Sequence, residues 1–333
     1  MSKAAVVVDC GWLGHTGVGR VTERFLVGAA ELAPADWLLW GPPEVERFAF
    51  RGAAVDDRRH GPMELGAQRD ILALPKGDVV LALHALRPLA VWRPTVVYLH
   101  DTIPLRWDTP ARRRWWRSFY VASVRTGLAV VVNSSATAER AMVDLHVPAK
   151  SIHVASPSID RAMVARVRDG RRLAEPGPLL YVGQVKPHKN LARAIEAFQR
   201  SAFRRAGGRM IVVGGRRQQG SATVAEGVEV HTDVTDDELI GWYTQAAAVI
   251  VPSLEEGYGL PVLEALAAGI PVCCSDIPAL RETAQGLAHL FDPWSVGSIA
   301  DAIDRAVGER SVDDEVRLPS DRDFAAAVIS VLD

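Results

Sequence analysis

The stretch "VPSLEEGYGLPVLEALAAGIPV" (251–272) sets two carboxylates, Glu256 and Glu264, into a run otherwise rich in Ala, Gly and Leu. Burying an ionised carboxylate without partners is costly, so such a place calls for a function. A carboxylate accepts hydrogen bonds at both oxygens, which suits the vicinal hydroxyls of a sugar or ribose. Pro261 fits the first turn of a helix and Gly269 its C-terminal cap, which predicts a helix over roughly 260–268. Glu256 then lies in the loop just ahead of that helix and Glu264 one turn inside it. The backbone N–H groups of Gly257, Tyr258, Gly259 and Leu260 add donors at its N-terminus. In the plainer alternative, Glu256 favours the helix dipole and Glu264 pairs with a neighbouring arginine.

A second group is "YVGQVKPHKNL" (181–191). Gly183 ends a predicted strand, Asn190 is placed to cap the helix that begins near Leu191, and Lys186 and Lys189 stand just before that helix. Two lysines at such a helix start suit a diphosphate, held by charge and backbone dipole together; the alternative is a solvated loop. "HTGVGR" (15–20) follows a strand and opens a helix, so Gly17 and Gly19 either approach a phosphate or sugar or simply make a tight βα turn. It is not a dinucleotide fingerprint: Thr22 stands where the last glycine belongs, and "WLLWGPP" occupies the place of the acidic ribose ligand. A P-loop fails as well, because Arg-Val follows Gly19 where Lys-Ser/Thr is required. His100, just past a strand, is placed either to touch a hexose hydroxyl or to serve as a core histidine bonded to a backbone carbonyl. His84 has the same placement with less around it, and Asp321-x-Asp323 reads as helix-capping chemistry, not as a metal ligand pair.

These residues hang on a repeated pattern of short apolar runs and longer helical segments. Strand candidates are 4–9, 37–40, 78–83, 95–100 and 128–133, then 179–183, 209–215, 228–233, 248–253 and 271–276. Apolar strands separated by helices predict parallel sheets covered on both faces. Two such series predict an α/β protein of two Rossmann-like domains facing across a cleft. The expected bounds are 1–165 for the first domain and 175–310 for the second, with a tail at 311–333 that packs back on the first. Ligands of open parallel sheets bind beyond the carboxyl ends of strands, where Gly183, Gly214, Ser253 and Asp276 stand.

Of 333 residues, 48% are hydrophobic and 23% charged, and the net charge is −2, which argues against a nucleic-acid partner. Three cysteines, Cys10, Cys273 and Cys274, fit reduced thiols in a cytoplasmic protein better than a disulfide framework. No apolar run approaches the length of a membrane span. The basic, aromatic segment 106–120 offers three readings: an amphipathic surface helix with Trp115, Phe119 and Ala122 as one stripe, an acceptor contact, or a face for anionic lipid at the inner membrane surface.

Together these pieces resemble the retaining, GT-B-fold glycosyltransferases of family 4 over roughly residues 4–306. "EGYGLPVLEALAAGIPV" is similar to that family's E-x7-E signature, and "GVGR", "HD" with Pro104, "VASPSID" and "GQVKPHKN" fall in the expected order. The resemblance implies transfer of a hexose from a nucleoside-diphosphate sugar, GDP-linked ahead of UDP-linked, to a hydroxyl of a glycoside, natural product or lipid-linked sugar. It implies that Lys189 holds the diphosphate, Glu264 the ribose and Glu256 the sugar being moved. His100 would touch that sugar from the first domain, and Gly17 and Gly19 would let their loop approach the diphosphate. No cofactor or metal is expected, since no Asp-x-Asp clamp is evident and Lys189 with helix N-termini would do a cation's work. Gln184 stands where many members carry arginine, and Lys186 is the residue placed to compensate. The alternatives are a nucleotide-sugar epimerase or hydrolase on the same scaffold, or a non-catalytic nucleotide-sugar binding protein.

Overall fold

A computed structural model describes residues 6–14, 16–32, 37–48, 54–57, 79–84, 94–125, 127–171, 177–214, 225–309 and 315–332. The chain divides into two compact units, Met1–Ile159 with Leu318–Asp333, and Asp160–Arg317.

The first unit holds β1 (Val6–Asp9), β2 (Trp37–Gly41), β3 (Ala54–Asp57), β4 (Val79–Ala82), β5 (Thr95–Leu99), β6 (Ala129–Val132) and β7 (Ile152–Val154). They form one parallel sheet in the order β3-β2-β1-β4-β5-β6-β7. The second unit holds β8 (Leu179–Val182), β9 (Met210–Gly214), β10 (Val228–Thr232), β11 (Ala248–Val251), β12 (Val272–Ser275) and β13 (His289–Phe291), parallel in the order β10-β9-β8-β11-β12-β13. Every position of β1, β5, β6, β11 and β12 is buried, so their unbroken apolar runs are the signature of strands covered on both faces. Each predicted strand is present. Edge strands β3, β7 and β13 escaped prediction: in β7 and β13 most positions keep solvent contact, so no continuous apolar run marks them.

The tail returns to the first unit. Its helix Asp321–Ile329 packs on the helix Thr16–Leu32, with Phe324 edge-on to Phe25 and Tyr98 at centroid distances of 6.2 and 5.8 Å. The helices touch so closely at Gly28 that a Cβ there would lie 1.9 Å from the Asp321 carbonyl oxygen. Asp323 completes a capping box with Ser320, whereas Asp321 bridges to Arg24 at 3.4 Å and accepts from the Ser158 hydroxyl.

The basic segment 106–120 is broken where one helix was expected. A short helix Pro104–Trp107 ends at Asp108, and a second runs over Pro110–Arg125. The residue before a proline disfavours helical backbone, so Thr109 marks the break. The buried face carries Tyr120, Ser123 and Val124 with Trp116 half-buried beside them, while Trp115 of the expected stripe is exposed. Among the described residues, no helix is long and apolar enough to cross a membrane.

Candidate functional site

In the second unit the chain leaves β8 toward β9 and β10 on one side, and leaves β11 toward β12 and β13 on the other. The carboxyl ends of β8 and β11 therefore flank a topological switch point, where parallel sheets open a crevice for ligand. The two loops there are stitched together. Leu254 N–H donates to the His188 carbonyl at 2.7 Å, and the Asn190 amide donates to the carbonyls of Pro252 and Pro293 at 3.0 and 2.8 Å. Asn190 adopts φ 57°, a left-handed backbone that asparagine tolerates better than most residues. It makes no side-chain cap on the helix Leu191–Arg200, contrary to the expectation from sequence; both of its N–H donors are spent across the sheet instead.

At this junction the Lys189 ammonium donates to Glu256 Oε1 at 2.6 Å, and the Ser253 hydroxyl donates to the same oxygen at 2.7 Å. The side chains of Lys189 and Glu256 keep 23% and 10% of their surface, enough for contact with a ligand but little for free hydration. His188, buried beneath, is pulled down to about 4 by desolvation and then by the Lys189 charge, so it stays neutral. The Tyr181 phenol is raised well above its ordinary range by burial and by Glu256, and it donates to the Gln184 carbonyl at 2.9 Å. Gly183 ends β8 with its N–H on the Val213 carbonyl at 2.9 Å, and Lys186 is exposed on the loop beyond it.

The helix Leu260–Ala267 opens from the "GYGL" loop. Gly259 holds φ 101°, and a Cβ there would meet Leu280 Cδ2 at 2.5 Å, so both backbone and space require glycine. Gly257 is buried, Tyr258 is half-buried, and the Tyr258 carbonyl accepts from Thr283 at 2.5 Å. Glu264 lies one turn in, 4% exposed, and accepts from the Tyr243 phenol at 2.9 Å. The structure thus brings Lys189, Glu256 and Ser253 into one cluster, with Glu264 on the helix that follows the same loop.

Residues 177–309 match the family model described as Glycosyl transferases group 1. The match takes in most of the second unit. Over 138 residues the chain is 30% identical to O-antigen chain mannosyltransferase B of Escherichia coli, which covers 39% of this chain and 36% of that protein. Over 316 residues it is 23% identical to an O-antigen chain mannosyltransferase of Salmonella typhimurium, covering 86% of this chain and 87% of that one. Sucrose-phosphate synthase from Thermosynechococcus elongatus shares the fold with a TM-score of 0.70 at 16% identity, over 99% of this chain and 95% of that chain. The architecture is GT-B, and the matches support glycosyltransferase activity.

The first unit has a switch point of its own between β1 and β4. There His84 Nε2 lies 2.9 Å from Asp9 Oδ2, both side chains being buried, and Asp9 Oδ1 accepts from Gly11 N–H at 2.9 Å. The helix Thr16–Leu32 already includes Gly17 and Gly19 in its first turn. A Cβ at Gly19 would lie 2.6 Å from the Trp12 carbonyl oxygen, so this glycine serves a tight βα turn; at Gly17 a Cβ meets nothing among the described residues. His100 Nε2 donates to the Leu83 carbonyl at 2.9 Å, its ring packs against Tyr98, and burial drops it to about 4. That bond fixes its tautomer with Nδ1 as the acceptor, and the side chain keeps partial solvent contact.

Sequence reasoning left three residues of the second unit without a role. Ser253 was visible at the end of a strand, three residues before Glu256. His188 sits between two basic side chains in sequence, and only its burial sets it apart. Tyr243 is 21 positions from Glu264, and no local spacing connects them.

Proposed function

We propose that the chain is a metal-independent, retaining family 4 glycosyltransferase of the E-x7-E type. It moves a hexose from a nucleoside-diphosphate sugar to a hydroxyl acceptor. The observation that carries the reading is the Lys189–Glu256–Ser253 cluster at the switch point of a glycosyltransferase domain, with Glu264 on the adjoining helix.

An ammonium has three donors, and Glu256 engages one, so Lys189 keeps capacity for diphosphate oxygens. Glu256 receives Lys189 and Ser253 on Oε1, and its second oxygen serves a hydroxyl of the transferred sugar. Glu264 serves the ribose. As the anomeric C–O bond breaks, negative charge grows on the departing diphosphate, and the fixed Lys189 charge with the N–H groups of the "GYGL" loop stabilises it. The acceptor attacks the face the diphosphate leaves, the leaving phosphate takes the acceptor proton, and configuration is retained. Glu256 orients the sugar and forms no bond to it.

Two relatives named as mannosyltransferases support a GDP-mannose-like donor over a UDP-sugar. The acceptor is a glycoside, natural product or lipid-linked sugar. In the lipid case, Arg112, Arg113, Arg114 and Arg117 with the exposed Trp115 form the contact to anionic lipid, which liposome co-sedimentation tests. The decisive experiment is a thermal-shift screen of nucleoside diphosphates and their sugars, because a ligand of the native state raises its stability. Selective stabilisation by one nucleotide series is the expected result, and none by any member of the panel refutes the proposal. Rapid donor conversion without acceptor would replace it with an epimerase or hydrolase.

A further inference from the structure

Glu264 is a carboxylate in an apolar helix, 4% exposed, on a segment whose neighbours Val262, Leu263, Ala265 and Leu266 are all buried. Such a group is tolerable only when donors hold it, and a side chain that must meet a ligand also has to keep one rotamer. The donor comes from another part of the chain. Tyr243 lies in the last turn of the helix Asp236–Gln245, is fully buried, and places its phenol 2.9 Å from Glu264 Oε2. Helical side chains lean toward the N-terminus of their own helix, which for Glu264 is the Gly259 turn, three residues after Glu256 in the chain. A phenol is a neutral donor: it anchors the carboxylate without cancelling its charge.

We propose that Tyr243 is a positioning residue, whose phenol fixes the Glu264 carboxylate so that it recognises the ribose hydroxyls of a nucleoside diphosphate. The inference rests on the reading of Glu264 as the ribose contact. A carboxylate offers about four acceptor sites, and the bond to Tyr243 uses one of them. Without the phenol, the Glu264 carboxylate would lose a donor that holds its rotamer. The loss would fall on recognition of the ribose and spare the diphosphate, whose partner is Lys189.

The test compares full-length wild type with Tyr243→Phe, which keeps the ring and removes only the hydroxyl. Each is titrated calorimetrically with GDP, UDP and their 2′- and 3′-deoxy counterparts, and with inorganic pyrophosphate. Wild type is expected to prefer the ribonucleotide, and Tyr243→Phe to shrink that preference roughly tenfold, the scale of one hydrogen bond to a charged group. Pyrophosphate affinity should not change. The ratio of ribo to deoxy affinity is taken on one preparation, so partial unfolding of the variant does not move it. Glu264→Gln sets the floor for that ratio. A Tyr243→Phe ratio equal to wild type overturns the positioning role alone. Equal binding of ribo and deoxy forms by wild type overturns the ribose reading of Glu264 and this inference with it.

Discussion

Lys189 joins the chemistry of the site to its stability, and replacing it separates the two. On the proposed reading, Lys189→Ala takes a fixed positive charge from the diphosphate, which should lower kcat/KM for donor by about 10²–10³, the scale for removing one transition-state donor. The same change strips Glu256 of the ammonium at 2.6 Å and leaves the Ser253 hydroxyl as its donor on Oε1. Removing one partner of a fully buried pair costs about 3–5 kcal/mol. Here Lys189 keeps 23% of its surface, so water partly replaces it and a cost of about 1–3 kcal/mol is expected. Adding Glu256→Gln removes the stranded charge. The double variant should therefore be more stable than the sum of the single changes by about 1–2 kcal/mol. Its turnover should be no better than that of Lys189→Ala, because neither group needed by the donor is restored. Release of nucleoside diphosphate in the presence of a panel of hydroxyl acceptors reads the activity, and urea unfolding of the four proteins reads the stability. Strict additivity in stability would show that the pair is not coupled. Turnover within about twofold of wild type in Lys189→Ala would place the diphosphate elsewhere.

Three further outcomes are expected. His100 and His188 are both lowered to about 4 from 6.5, chiefly by desolvation, so between those values the unfolded chain binds more protons than the native one. Stability should be full above about pH 6.5 and fall as pH drops toward 4, by about 1.4 kcal/mol per pH unit for each histidine, and His188→Gln should flatten that slope in urea midpoints at pH 7, 6 and 5. Identical slopes in both proteins would refute it. Gly28→Ala should push the tail helix, whose Asp321 carbonyl meets the new Cβ, away from the helix Thr16–Leu32 and cost about 1–3 kcal/mol, seen as a lower Tm and earlier proteolysis of the tail. Exhaustive chelation should leave donor turnover unchanged; activity that vanishes and returns with a divalent ion would end the proposal of metal independence.

Some of the molecule was legible in the chain alone. Parallel sheets follow from runs such as "AVIV" and "AVVV", because a strand buried on both faces has no polar side to display. The helix after the "GYGL" loop follows from its proline and glycine, and observed Leu260–Ala267 matches the predicted 260–268 to within a residue. These are local rules, in which neighbouring residues decide backbone shape and burial. What the local rules could not supply is the partner of each polar group. Asn190 is a good cap by type, yet Pro252 and Pro293 take its donors, because the packing of the β8, β11 and β13 loops brings those carbonyls closer. Trp115 and Phe119 make a plausible stripe by spacing, but the sheet below the helix takes Tyr120 and Val124. Glu264 has its donor on a helix 21 residues earlier, and Glu256 shares one oxygen between Ser253 and a lysine from the neighbouring strand's loop. The two glutamates were marked by sequence, since charge in an apolar run is costly wherever it falls. Their partners were chosen by tertiary structure, because hydrogen bonds reach only about 3 Å and only the folded sheet brings those groups that close.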